Sequence, residues 1–165
     1  MVIFLLNIVF AVPGNKISID ADTFEVDMKQ NLVKGMGNVV IKRTDMVING
    51  DTTVYDQNKS NIEISGNIKL NYQRINLTCE RLNFDNVKNI ITGYDRVKIV
   101  YDDLNVVTEK IVIDLNTNIA NLYSDTKIKS KGHLIEGKNF SIDLKTKRVK
   151  SINKTHVILS EDSMK

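Results

Sequence analysis

The chain has 165 residues, which is enough for one domain with a hydrophobic core. Apolar residues make up 42% of the chain, and a share of this size excludes wholesale disorder. The net charge of +3 is too small to indicate a nucleic-acid-binding surface, and aromatic and basic residues do not interleave as they do in proteins that stack bases.

The first residues form an apolar segment. This stretch, Met1 to Val12, is shorter than the roughly 20 residues of a membrane span, and Asn7 interrupts it. Val9 and Ala11 have the small side chains that are typical of the positions before a signal cleavage site. We therefore predict a signal peptide over residues 1–11, a domain over residues 12–160 and a tail over residues 161–165. A buried first strand and an uncleaved membrane anchor are the alternatives.

An aspartate recurs every 29 residues, at Asp27, Asp56, Asp85, Asp114 and Asp143. Each follows a strand-like run, such as FEVD or LNFD, and opens a polar turn, such as DQNKS or DLNTN. A carboxylate at the first position of a turn accepts hydrogen bonds from backbone N–H groups just ahead of it. The five aspartates are therefore predicted to form turns, and a catalytic role for them is disfavoured.

Apolar residues alternate along the segments between these turns, which predicts half-buried strands. Gly37 and Gly66 interrupt two of these segments and indicate a bulge or a bend. The buried parity slips after a column of small residues, Ala21, Gly50, Cys79, Thr108 and Gly137, which predicts a bulge there. Cys79 in that column is interpreted as a small buried hydrophobic residue.

Five repeat units thus predict ten long, bent strands. Because the turns are short, neighbouring strands are expected to be antiparallel. The predicted fold class is all-β, with repeated antiparallel strand pairs forming a half-open jelly-roll-like β-sandwich. A parallel β-solenoid is the alternative architecture, since such folds are also built from repeats.

The repeat motif also resembles a known family. The segments ISIDADTFEVD, KGMGNVVI and VINGDTTVYD, followed by SGNIKL, are similar to the repeat of OstA-like proteins of the LptA family, the periplasmic bridge proteins of lipopolysaccharide transport. The resemblance covers roughly residues 17–160 and is clearest in the first two units. It implies a half-open jelly roll whose apolar interior holds acyl chains, and subunits that join through their terminal strands.

The predicted function is that of a periplasmic lipopolysaccharide-binding transport protein. It would shield the acyl chains of lipid A in an apolar β groove and bridge inner- and outer-membrane components edge to edge, with a head-to-tail homo-oligomer as one form of assembly. A structural β-repeat envelope protein and an inner-membrane-anchored sister subunit are the alternatives. A packed interior would favour the structural protein, whereas a groove would favour the carrier.

An enzyme is not indicated, because the sequence has no Ser–His–Asp spacing, no HExxH motif and no phosphate-binding glycine loop. Cys79 and two distant histidines, His133 and His156, do not supply the about four ligands of a structural zinc site. No cofactor, metal or nucleic-acid partner is therefore predicted.

The residues predicted to line the lipid path share one inward parity across the repeats. They are Ile19, Phe24, Val39, Ile41, Ile48, Tyr55, Ile68, Leu70, Leu77, Phe84, Val97, Ile99, Val106 and Ile113.

Charge is unevenly distributed, with nine basic and two acidic residues between Lys127 and Lys154. Lys127, Lys129 and Lys131 alternate, so they are predicted to share the outer face of one strand. They are interpreted either as guards of an edge strand or as contacts for anionic headgroups or an acidic partner.

The two ends of an open sheet leave backbone groups unpaired. We predict one such edge near Ile17 to Asp27, which is rich in acidic residues, and the other near Arg148 to Leu159, which carries basic ones. Joining two unlike edges produces head-to-tail growth instead of a closed dimer.

Overall fold

The fold was analysed in a computed structural model, which describes residues 8–10, 16–151 and 153–159. Thirteen strands form one sheet, and nearly all neighbours in the sheet are also neighbours in the sequence. The strands are β1 (Ile8–Phe10), β2 (Ile17–Asp20), β3 (Thr23–Asp27), β4 (Leu32–Arg43), β5 (Met46–Asp56), β6 (Asn61–Tyr72), β7 (Ile75–Asp85), β8 (Ile90–Tyr101), β9 (Leu104–Asp114), β10 (Ile119–Ser130), β11 (His133–Asp143), β12 (Arg148–Ser151) and β13 (Thr155–Ile158).

The fold is all-β and antiparallel, as the sequence predicts. The parallel solenoid is wrong, because every described pair of strands, from β1–β2 to β11–β13, is antiparallel. Strands β4 to β11 contain 11 or 12 residues each. The first and last of the ten expected long strands are each split in two, as β2 with β3 and as β12 with β13.

The recurring aspartates form the turns at one end of the strands, and this prediction is confirmed. Asp114 Oδ1 accepts hydrogen bonds from the backbone N–H groups of Asn116 and Thr117, at 2.9 and 3.2 Å. The bond from Thr117 lowers the pKa of the Asp114 carboxyl. Because this pKa is lower in the folded than in the unfolded chain, the turn stabilises the fold above the unfolded pKa and loses that contribution as the pH falls through the folded value.

The bulges lie at Gly37 and Gly66, as these glycines predict, and on the strands opposite the column of small residues, so a bulge in that column is wrong. Strand β4 has two residues between Met36 and Val39 where β5 has one residue between Thr52 and Gly50. The extra residue lies at Gly37, whose φ of 77° is followed by a φ of 45° at the next residue. Glycine adopts such a left-handed conformation without steric cost, which explains why the bulge forms on this strand.

An aspartate earlier in the chain holds each of the first two bulges in place, from the bend between β2 and β3 or from β5. The side-chain Nδ2 of Asn38 donates to Asp22 Oδ2 at 2.8 Å, and that of Asn67 donates to Asp51 Oδ2 at 2.7 Å. A Cβ on Gly66 would lie 2.3 Å from Asp51 Oδ2, so the glycine also leaves room for this carboxylate. The asparagine that follows glycine in the repeat therefore has a structural role, since its side-chain amide binds this carboxylate.

The sheet folds back on itself along the line of bulges. One face of the strands β4 to β10 is buried to a few per cent exposure, and a single open layer cannot bury a face to this extent. The half of the sheet on one side of the bulges therefore covers the half on the other side, offset by several strands, with the apolar core between them. The ends of the strands meet on the side opposite the bulges, and we call this line of contact the seam.

Only some of the strands predicted to form the two sheet edges have one side without a paired strand. Strand β3 pairs with β4 alone among the described strands, and β12 and β13 each pair with β11 alone. Strand β2, however, also pairs with β1, in which Val9 lies opposite Ser18. Strand β1 belongs to the segment predicted as a signal peptide, and the other residues of that segment lie outside the described part, as does the predicted tail. Within the described residues, no helix is long and apolar enough to span a membrane.

Candidate functional site

The apolar interior is the candidate site. Thirteen of the fourteen residues predicted to line it are buried, and Phe24 in the edge strand β3 is half-buried against the same core. Ile48, Phe84 and Val97 have no exposed surface. The sequence therefore predicted the inward face, whereas contact of these residues with a lipid stays a prediction.

The predicted lining omitted further buried residues from the half of each strand next to the aspartate turns. They are Val33, Ile62, Ile64, Leu82, Ile91, Ile111, Ala120, Leu122, Phe140 and Ile142. The same period-two alternation identifies them once the parity slip is taken into account. Val26, which continues this alternation in the edge strand β3, is 44% exposed, because no strand covers it.

Polar groups inside the core are paired. Thr108 and Thr126 are buried, and their hydroxyls lie 2.9 Å apart, while Thr108 also donates to the carbonyl of Tyr123. No buried side-chain polar atom among the described residues lacks a hydrogen-bond partner. The interior therefore offers an apolar surface and no unpaired polar group for a polar ligand.

The interior is closed in this conformation. A cavity of about 10 Å³ lies between Tyr101, Ile113 and Leu144, which is room for about one water molecule. An acyl chain cannot fit into this volume. Binding of a lipid inside the fold would therefore require the two layers to move apart, which would break contacts across the seam.

One end of the seam is held by a buried arginine at the end of β4. Arg43 donates from Nη1 to Asn89 Oδ1 at 3.0 Å across the seam and forms a salt bridge of 2.7 Å with Asp45. Its guanidinium carbon lies 5.3 Å from the centre of the Phe84 ring, and its side chain is 3% exposed. Further along the seam, the Tyr101 hydroxyl donates to the carbonyl of Leu144.

Cys79 is buried, as predicted, and does not have the properties of a nucleophile. Burial raises the pKa of its thiol to about 11, so the thiol stays protonated at neutral pH. The Sγ atom donates to the carbonyl of Arg81 at 3.2 Å.

The three lysines predicted as edge guards or headgroup contacts lie elsewhere than expected. Strand β10 pairs with β9 and β11, so the edge-strand interpretation is wrong. Lys127 and Lys129 share the outer face of that strand, but Lys131 lies in the turn that follows it. Lys127 forms a salt bridge of 2.9 Å with Glu136, which leaves Lys129 and Lys131 beside a concavity of about 360 Å³ next to Asp103.

A larger concavity, of about 530 Å³, lies on the outer face of the sheet between β5 and β8. Its lining is mixed: Thr52, Glu63 and Arg81 lie beside Tyr94. Arg81 forms a salt bridge with Asp95 at 2.6 Å and lies 5.4 Å from the centre of the Tyr94 ring. Although it is larger than the interior cavity and is partly lined by Val54 and Leu82, this surface also carries charged groups, so we do not assign acyl chains to it. The described residues contain no cluster of three side chains suited to a metal.

Comparison with known proteins assigns this fold to a family. The profile described as "LptA/(LptD N-terminal domain) LPS transport protein" matches residues 18–148. The structure of LptH, the periplasmic LptA homologue of the lipopolysaccharide transport device of Pseudomonas aeruginosa, is similar with 16% identity and a TM-score of 0.37, covering 87% of this chain and 94% of that one. No curated protein sequence matches the chain.

The fold thus defines a class of proteins in which one antiparallel β-sheet is rolled around an apolar interior. The chain belongs to the LptA/LptD N-terminal domain family of lipopolysaccharide transport proteins, because the family profile matches most of its length.

Proposed function

We propose that this chain is a periplasmic lipopolysaccharide-binding transport protein. It takes the acyl chains of lipid A between the two layers of its rolled sheet and connects inner- and outer-membrane components through its edge strands. The observation that carries this proposal is the continuous apolar interior, which runs from Ile19 in β2 to Ile142 in β11 and is lined by one face of every long strand. The closed state of that interior also fits a structural β-repeat protein, and the family profile over residues 18–148 favours transport.

The energetics of the interior support a lipid as the cargo. Each buried CH₂ group contributes about 0.8 kcal/mol, so an acyl chain gains several kcal/mol when it leaves water for this surface. That gain has to offset the separation of the two layers, whose side chains now contact one another. Because no ladder of backbone hydrogen bonds joins the layers at the seam among the described strands, separation there leaves the strand pairs intact.

Lys129 and Lys131, on the outside of the rolled sheet, form the proposed binding site for an anionic group. Lys129 and Lys131 have exposed side chains beside the concavity next to Asp103, and lysine is a common ligand of phosphate. We include both in the proposal as contacts for the headgroup or for an acidic partner.

Photo-crosslinking tests the proposed path. A photoreactive phenylalanine analogue placed at Tyr55, Phe84 or Phe24 replaces an aromatic side chain of the interior, and we expect each of these variants to capture lipopolysaccharide. The same analogue at Lys69 or Lys98, whose side chains are exposed on the opposite face, is expected to capture none. Equal capture from both faces would contradict the proposed path.

A further inference from the structure

The contact that closes the interior beneath the β8–β9 turn joins two elements that are far apart in sequence. The Tyr101 hydroxyl at the end of β8 donates to the carbonyl of Leu144, the residue that follows β11. Both residues also line the interior cavity. A movement that breaks this hydrogen bond therefore removes one of the contacts that cover the cavity.

Two cations flank the same tyrosine on its outer side. Arg74 and Lys147 lie 5.8 and 5.7 Å from the centre of the Tyr101 ring. Both reach one oxygen, Asp102 Oδ2, at 3.0 and 2.5 Å. Their side chains are 67% and 39% exposed, so a ligand in solution has access to both.

The charged residues named around Tyr101 include more cations than carboxylates. Asp103 lies 4.0 Å from Lys147 and accepts a hydrogen bond of 2.9 Å from Ser130. The hydrogen bond from Ser130 lowers the pKa of Asp103, so this carboxyl is charged at neutral pH, with Lys131 also close by. Arg74, Lys131 and Lys147 therefore face two carboxylates, and one of these carboxylates is shared between two cations.

The polar contact of Arg43 across the seam differs from the one at Tyr101 in its exposure to a ligand in solution. Arg43 also carries a positive charge, but its side chain is 3% exposed and is already bonded to Asp45 and Asn89. Of these two contacts, only the one at Tyr101 combines exposed cations with an apolar cavity directly beneath them.

We propose that this part of the seam is the entrance for an anionic amphiphile, with Arg74 and Lys147 as the ligands of its phosphate groups and the Tyr101–Leu144 contact as the closure that its first acyl chain displaces. This inference rests on the proposed function, since it identifies where the lipid enters the interior. Guanidinium and ammonium groups form charge-assisted hydrogen bonds with phosphate, so the headgroup takes over the contacts that Asp102 makes in the closed protein.

The test compares two charge-matched double variants of the full chain. Arg74→Gln with Lys147→Gln removes the seam cations, whereas Arg81→Gln with Lys138→Gln removes two cations that form similar salt bridges away from the seam. Arg81 is a close match for Arg74, because it is 64% exposed and also lies over a tyrosine ring. The affinity of each protein is measured for bisphosphorylated lipid A, for the same lipid without phosphates and for inorganic phosphate.

We expect the seam variant to bind bisphosphorylated lipid A roughly tenfold more weakly than the unmodified chain, since two exposed charge pairs are lost. Its affinity for the phosphate-free lipid stays unchanged, and the control variant matches the unmodified chain for both lipids. Tyr101→Phe, which keeps the ring and removes the hydroxyl, is expected to take up lipid roughly three- to tenfold faster, because one closing hydrogen bond is absent.

The alternative outcomes have distinct meanings. Equal lipid A affinities of the two double variants would overturn the entrance while leaving the proposed function intact. Binding of inorganic phosphate as tightly as lipid A would show an anion site unconnected with the interior, which also overturns the entrance. If the unmodified chain bound neither lipid, the proposed function itself would fail.

Discussion

Ile68→Asp is expected to destabilise the protein by more than about 4 kcal/mol and to abolish lipid binding. Ile68 is 1% exposed and lies in the middle of β6, where its side chain points into the core between the two layers. A carboxylate at this position has lost its water and faces apolar side chains, so it either stays charged at a high cost or takes up a proton. Urea unfolding followed by circular dichroism measures the loss of stability.

The neighbouring residue provides the control. Lys69→Asp introduces the same side chain one position later in the strand, on the exposed face, and is expected to change the free energy of unfolding by less than about 1 kcal/mol. Ile68→Met, which conserves volume, should cost less than about 1.5 kcal/mol and retain lipid binding. Similar losses from Ile68→Asp and Lys69→Asp would show that Ile68 does not lie in the core.

Edge-to-edge assembly is expected to convert the monomer into a ladder of cross-linked species when the two edges carry cysteines. Strand β3 presents Asp27 and Glu25 at one edge, and β12 presents Arg148 and Lys150 at the other. Backbone pairing between unlike edges supplies affinity, and their opposite charges favour one orientation. Because the edges differ, the contact propagates and does not close.

The experiment places one cysteine at Glu25 and one at Lys150, in a Cys79→Ala background. Alanine is a tolerated residue in this column, since Ala21 occupies the equivalent position of the first unit and is also buried. Oxidation at rising protein concentration should give dimers and longer species, whereas each single-cysteine variant stops at dimer. Monomer alone at high concentration would contradict assembly through these edges, and the lipid-binding part of the proposal would then stand without the bridge.

The 29-residue repeat was sufficient to predict the strands, the aspartate turns and the buried face, because each depends on local spacing. Asp114, for example, accepts its hydrogen bonds from residues two and three positions ahead. Gly37 and Gly66 correctly indicate the bulges, whereas the parity slip predicts them on the paired strand, because the slip appears opposite the extra residue. The pairing of β4 with β5 shows that Gly37 belongs to the longer side.

The seam could not be predicted, because it joins residues that no repeat relates. Arg43 contacts Asn89, and Tyr101 contacts Leu144, at separations of 46 and 43 residues. The sequence nevertheless contained a signal, since Arg43, Tyr72 and Tyr101 are 29 residues apart and each is the last residue of its strand. Polar-tipped side chains in such a column indicate a boundary between the core and water.

The most direct test of this account is the identity of the lipid that the protein carries. The full chain is produced in an envelope that makes lipopolysaccharide, purified without detergent and analysed by native mass spectrometry, followed by lipid extraction. We predict bound lipopolysaccharide at close to one molecule per chain, and its loss in Ile68→Asp but not in Lys69→Asp. A chain that emerges folded and free of lipid, and that takes up none when lipopolysaccharide is added, would contradict the account and indicate a structural role for the rolled sheet.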